Sequence, residues 1–511
     1  LETKSGTVHT PHMFPVVDPN QPRNTKALLE EMNAPAIMTN AYLLKRGQTK
    51  PTRMELHDYL GFKGPIATDS GAYQILEFGE VSVTPAEIVQ YQEEINSDIA
   101  VILDVPTGFH SNLQRAHWTV DETIRRADQA LASITRRDIL WVGPVQGGVH
   151  LQEVDRSARE MADRDFPIYA LGSPTELMET QHFDTLVDMI VTAKKRLPIS
   201  KPLHLFGAGH PATFPFFVAL GCDLFDSAAY ALYAKQGKYF TPTGTLQMSE
   251  MEELPCNCPT CSRRTVQEFS ELDLESQEML LARHNLSICL SELRRIREAV
   301  RTGRLWELLE TRSRVNPSLG RCFDRLAEYS EFIMKYDPVV KTHGVYHYPG
   351  PGSDRPELTR FRKRLFSMRS HWNKSKTIVL LPAGWRRPFH QDPAVEDAVR
   401  KLRDFPSVSI VFYSLPFGPV PLELDEAYPI PHTDVYDPKI PEEYARAASQ
   451  VAEYVRASNP DTVFLVLGTT TLGEHVLANL KKTSPLGTEL AVDGLGNVLG
   501  KLLVSQREAV K

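Results

Sequence analysis

Three carboxylates and one cysteine/histidine cluster are the residues whose types and spacing could do chemistry. Asp69, Asp104 and Asp226 each close a short apolar run, followed by Ser70-Gly71-Ala72-Tyr73-Gln74, Val105-Pro106-Thr107-Gly108 and Ser227-Ala228-Ala229-Tyr230 respectively. A single aspartate in such a position is most often a helix cap or turn residue. Three on one rim suit nucleophilic and acid–base work, because close carboxylates in a partly dry site hold different protonation states. Cys256-x-Cys258-x2-Cys261 is followed by His284 in a helical stretch, which gives the ligand types and spacing of tetrahedral zinc. Four protein ligands leave no open position for substrate. The metal is therefore expected to be structural, and the chemistry is expected from the carboxylates.

Positioning three aspartates so far apart in sequence requires a fold that gathers strand ends. Apolar runs at 14–17, 36–39, 65–69, 99–104, 139–146, 167–172, 203–207 and 224–226 each end in polar or glycine-rich residues, with helical sequence between most of them. Eight buried parallel strands with intervening helices predict a (β/α)8 TIM barrel, whose active site lies where strands run into the following loops. That topology brings Asp69, Asp104, Gln146, Gly172, His204 and Asp226 to one face.

The chain has 511 residues, 24% charged and 42% hydrophobic, which implies several domains of a soluble globular type. No apolar run reaches the roughly 20 residues needed to span a bilayer, and no secretory leader is visible. Six cysteines, three of them in one cluster, fit a reducing compartment, so a cytoplasmic location is expected. The net charge of -7 argues against indiscriminate binding of polyanions while leaving room for a local basic surface.

The ordered motifs Thr68-Asp69-Ser70-Gly71-Ala72-Tyr73-Gln74, Leu103-Asp104-Val105-Pro106-Thr107, Val145-Gln146-Gly147-Gly148, His204-Leu205-Phe206-Gly207-Ala208-Gly209-His210-Pro211 and Asp223-Leu224-Phe225-Asp226-Ser227-Ala228-Ala229-Tyr230, together with the zinc set, resemble the archaeal tRNA-guanine transglycosylases of archaeosine biosynthesis. The agreement runs through about residue 330.

The resemblance implies exchange of a guanine in tRNA, expected at position 15 of the D-arm, for free 7-cyano-7-deazaguanine (preQ0), without an organic cofactor. It implies that Asp226 is the nucleophile that forms a covalent aspartyl-ribosyl intermediate and that Asp69 is the general acid/base. Asp104 fits N1–H and the exocyclic amine of a guanine-type base, and Gln146 fits its carbonyl edge. Gly172 permits close backbone approach, Tyr73 offers a stacking face, and Ser70 and Gln74 complete the base-binding set. Pro174 and Thr175 carry no carboxylate for an aminomethyl cation, which favours preQ0 over the aminomethyl base (preQ1). Cys256, Cys258, Cys261 and His284 would hold structural Zn2+.

The expected organisation is a catalytic barrel at 1–335 with a zinc-binding subdomain at about 240–335, a connecting helical and basic segment at 336–376, and a small α/β accessory domain at 377–511. The basic segment 360–376 carries Phe361, Phe366 and Trp372 and reads equally as a solvated amphipathic helix or as an RNA contact. The accessory domain is similar to one shared with archaeosine synthase, but Leu381-Pro382-Ala383-Gly384-Trp385 lacks the cysteine and lysines of the synthase-type loop. A PUA domain, common in archaeal relatives, is not found in this chain, so either a separately encoded PUA-domain subunit or a chain cut short of that domain is expected, beside tRNA and a second copy of this chain in a homodimer. The rival readings are an archaeosine synthase-like enzyme and a non-catalytic tRNA-binding subunit.

Overall fold

The computed structural model describes residues 1–20, 34–47, 55–72, 83–368, 376–468, 471–483 and 488–509. Tyr73, Gln74 and Trp372 lie outside them. The chain divides into two compact units, Leu1–Leu326 and Ala327–Lys511.

The first unit is built on eight parallel strands: β1 (His12–Pro15), β2 (Ile37–Asn40), β3 (Ile66–Asp69), β4 (Ile99–Val101), β5 (Leu140–Val145), β6 (Ile168–Leu171), β7 (Leu203–Leu205) and β8 (Leu224–Ser227). Their order is β1-β8-β7-β6-β5-β4-β3-β2. A parallel bridge between Val16 and Met38, with Val17 N donating to Met38 O at 2.9 Å, joins the two ends into a barrel. The eight apolar runs predicted from sequence correspond to these eight strands. Five of these strands end one to three residues earlier than the runs, where the chain turns into the rim, and two, β2 and β8, end one residue later.

Strand periodicity explains why the rim is polar above an apolar floor. Phe14, Met38, Ala67, Val101, Val142, Ala170 and Leu224 pack together in one cluster. Side chains two apart on a strand share a face. Ala67 is thus followed on its face by Asp69, Ala170 by Gly172 and Leu224 by Asp226; Gln146 lies four residues beyond Val142. The apolar layer fixes the strands, and the next steps toward the carboxyl ends carry the functional groups.

The helices cover the outside with one apolar face each. Helix Leu113–Ser133 starts at Asn112, whose side chain accepts from Arg115 N, and buries Ala116, Val120, Ile124, Ala127 and Ala130. After β8, helix Ala229–Lys235 leads to an antiparallel hairpin of β9 (Lys238–Thr241) and β10 (Gly244–Gln247), and then to the long helix Leu274–Arg301.

The second unit holds a five-stranded sheet of β11 (Thr377–Pro382), β12 (Val408–Ser414), β13 (Gly418–Pro421), β14 (Thr462–Leu465) and β15 (Glu489–Val492), ordered β13-β12-β11-β14-β15. Only β13 runs antiparallel to its neighbour. Helix Pro356–Ser367 belongs to this unit's core through Leu358, Phe361 and Leu365. Its basic residues are partly engaged by the fold. Arg360 donates to the carbonyls of Pro338 and Asp337, and Arg362 to those of Ser353 and Pro416. Among the described residues no helix is long and apolar enough to cross a membrane.

Candidate active site and metal centre

The carboxyl ends of β3 and β8 bring Asp69 and Asp226 to the same rim as Asp104. Asp226 Oδ1 accepts from Gly207 N at 3.0 Å and lies 2.9 Å from His204 Nε2. His204 is buried, so the imidazole and the backbone amide fix the carboxylate from one side. Among the described residues Oδ2 of Asp226 has no hydrogen-bond partner and is the oxygen available to an electrophile.

Asp69 is held differently. Its Oδ2 accepts from Asn40 Nδ2 at 2.8 Å and from Gly71 N at 3.2 Å. Gly71 sits at φ +91°, where a Cβ would also meet Tyr42 Cβ at 2.3 Å, so the turn that delivers this amide requires glycine. Burial, reinforced by the neighbouring Asp104 and Asp226 charges, pushes the Asp69 carboxyl up to about 7. The group is therefore poised to give or take a proton near neutrality.

Asp104 and Gln146 form the other side of the site. Gln146 Nε2 donates to Asp104 Oδ2 at 2.6 Å, and both side chains are buried. Burial raises the Asp104 carboxyl to about 6, against the opposing effects of the Gln146 hydrogen bond and the Arg126 charge. Gly172 lies against this pair. A Cβ there would fall 2.1 Å from Gln146 Nε2, so glycine is needed for the backbone to lie this close. Ser70 is buried beside Asp69, and its Oγ has no partner among the described residues. A hydroxyl in that state is available to a polar ligand group. Glu176 Oε2 accepts from Phe109 N at 2.7 Å and is tied to the loop after β4.

The ligand atoms of Cys256, Cys258, Cys261 and His284 lie within 4.8 Å of one another. His284 Nε2 is 2.8 Å from Phe240 O, which assigns the proton to Nε2 and turns Nδ1 toward the thiols, 3.3 Å from Cys261 Sγ and 3.5 Å from Cys258 Sγ. Tyr239 stacks on the imidazole with ring centroids 3.6 Å apart. This donor set fits a four-coordinate metal ion with no free position. Asn285, next along the helix, accepts from Phe240 N and donates to the carbonyls of Tyr230 and Lys238. The cluster and Asn285 thus pin the long helix to the segment that follows β8, whose Tyr230 hydroxyl donates to Val16 O.

A family profile described as queuine tRNA-ribosyltransferase matches residues 1–318. The chain belongs to this tRNA-guanine transglycosylase family. Curated relatives named tRNA-guanine(15) transglycosylase are similar over most of its length. The Methanosarcina mazei protein is 39% identical over 88% of this chain and 87% of its own. The Aeropyrum pernix protein is 39% identical over 89% of each, and the Methanococcus aeolicus protein 34% identical over 94% of this chain and 73% of its own. Residues 358–485 match a second profile, described only as a domain of unknown function.

Within this transglycosylase fold the structure adds site residues that sequence reading did not select. Asn40 ends β2 beside Asp69, and its place at a strand end was a usable signal. Thr107 and Ser173 hold Gln146 through contacts across 39 and 27 positions, which no local pattern reveals.

Proposed function

We propose that the protein exchanges guanine 15 of tRNA for preQ0 by double displacement at the barrel rim. The observation that carries this reading is the pairing of an anchored Asp226, with one oxygen open, and an Asp69 carboxyl raised to about 7. The family membership and the names of the relatives support the reaction class.

In the first half, Asp226 Oδ2 attacks C1′ of the ribose. The C1′–N9 bond breaks, its electron pair leaves with guanine, and protonated Asp69 supplies the proton. The resulting ribosyl ester keeps the tRNA on the enzyme. In the second half, ionised Asp69 removes the N9 proton of the incoming 7-deazaguanine, whose nitrogen attacks C1′ and releases Asp226. Attack from opposite faces in succession retains the sugar configuration. Asp104 reads N1–H and the exocyclic amine, Gln146 reads the carbonyl, and Tyr73, Gln74 and Ser70 belong to the same base-binding set. Pro174 and Thr175 offer no counter-charge for an aminomethyl group, and Glu176 is engaged by Phe109 N, which supports preQ0.

Zinc is the metal proposed for the Cys/His cluster, in a structural role. A homodimer and a cytoplasmic location complete the reading. The proposed division of labour is a catalytic barrel with its zinc subdomain at 1–335, a segment at 336–376 whose helix Pro356–Ser367 packs into the accessory core, and an accessory domain at 377–511. The test is incorporation of labelled bases into tRNA transcripts. Incorporation of preQ0 much faster than preQ1, abolished by replacing guanine 15, supports the reading; faster preQ1 incorporation contradicts the base assignment.

A further inference from the structure

We infer that Ser173 is a specificity-determining positioning residue: its hydroxyl fixes which end of the Gln146 carboxamide faces the base. The inference rests on the reading of Gln146 as a base-binding residue. Ser173 Oγ lies 3.0 Å from Thr107 N and 3.3 Å from Gly108 N. Both are backbone N–H donors, so the serine oxygen accepts from them. Its one proton then points to its remaining neighbour, Gln146 Oε1, at 2.9 Å. Thr107 N also donates to Gln146 Oε1, at 3.2 Å.

These donors determine the orientation of the amide. An NH2 group at the Oε1 position would face a backbone N–H with no lone pair to offer. Oε1 must therefore face Thr107 and Ser173, and Nε2 must face Asp104, 2.6 Å away. The neighbouring Thr107 hydroxyl lies 3.4 Å from Oε1 but closer to another acceptor. It accepts from Gly147 N and sits 2.8 Å from Thr119 Oγ1, which itself donates to Ala116 O. Ser173, at 2.9 Å, is therefore the closer side-chain donor to Oε1, with the Thr107 hydroxyl farther off at 3.4 Å.

The backbone at Ser173 supports a selected role. Its φ is +64°, a left-handed conformation that strains a serine and that glycine would adopt freely. Serine at this position adds a hydroxyl that glycine lacks. With Oε1 held, Gln146 presents only N–H to the site, which suits a ring carbonyl and opposes a ring amine at the same place.

The experiment is a double-mutant cycle on the full chain, using labelled guanine exchange into tRNA. Ser173→Gly removes the hydroxyl and relieves the backbone, so folding is not compromised. It should lower kcat/KM for guanine about ten-fold, chiefly through KM, in line with one lost buried hydrogen bond. In a Gln146→Ala background the same change should cost less than about two-fold, because the side chain it positions is gone. An equal cost in both backgrounds, or no cost in the first, overturns the inference. A wild-type protein that exchanges no guanine would instead contradict the function on which the inference rests.

Discussion

His204 Nε2 lies 2.9 Å from Asp226 Oδ1, and the histidine is buried on β7 while the aspartate ends β8. The β7–β8 register pairs His204 with Leu224, two residues before Asp226, so the imidazole reaches one step along the barrel to brace the carboxylate. A braced carboxylate keeps one oxygen aimed at the mouth of the site.

Replacing His204 with alanine should therefore lower the rate of ester formation about 10- to 100-fold, with tRNA affinity little changed, since a misplaced nucleophile costs rate more than binding. Single-turnover kinetics with saturating enzyme check this. An unchanged single-turnover rate would show that Gly207 N alone is sufficient.

Asp69 links activity to pH. Its carboxyl, raised to about 7, stays protonated through mildly acidic pH, so base departure should slow as pH rises above about 7. The sign for stability follows from the same shift. Between about pH 4 and pH 7 an unfolded chain loses this proton while the folded chain keeps it, so Asp69 lowers stability progressively as pH rises through that window. Asp69→Asn should abolish exchange and be more stable than wild type by about 1–2 kcal/mol at pH 8, with the difference closing toward pH 4. Denaturant unfolding at several pH values measures it.

Gly172→Ala should damage base binding more than folding. The added Cβ would fall 2.1 Å from Gln146 Nε2 and 2.8 Å from its Cδ, and the end of the glutamine side chain is what gives way. The expected result is a rise in KM for the free base of about ten-fold or more, as a displaced polar reader loses its partner, with a melting temperature near that of wild type.

Removal of the metal should loosen the scaffold while leaving the chemistry groups intact. Chelation, or Cys258→Ala, should lower the melting temperature by about 10 °C or more, because metal binding free energy is folding free energy in such clusters. Elemental analysis should give one zinc per chain. Rapid exchange of solvent on the bound metal would contradict a closed four-ligand site.

Much of this architecture was legible in the chain because parallel buried strands read as apolar runs, and their polar termini mark the rim. Asp69, Asp104 and Asp226 stood out for that reason, and Cys256, Cys258, Cys261 and His284 stood out by ligand spacing. The parts that stayed hidden depend on contacts between distant segments. The Ser173 hydroxyl meets Gln146 across 27 positions, and Asn40, which also caps the helix after β2, meets Asp69 across 29. In the second unit, β13 does not read as a strand from sequence because Gly418-Pro419-Val420-Pro421 carries two prolines, which suit only an edge strand. Arg360 and Arg362 looked equally suited to RNA, yet both serve carbonyls of their own unit.

The most direct measurement is labelled-guanine exchange into tRNA by wild type and Asp226→Ala, with denaturing gels to detect a protein–tRNA adduct. The account predicts exchange and a covalent adduct with wild type and neither with Asp226→Ala. Full exchange by Asp226→Ala would contradict it.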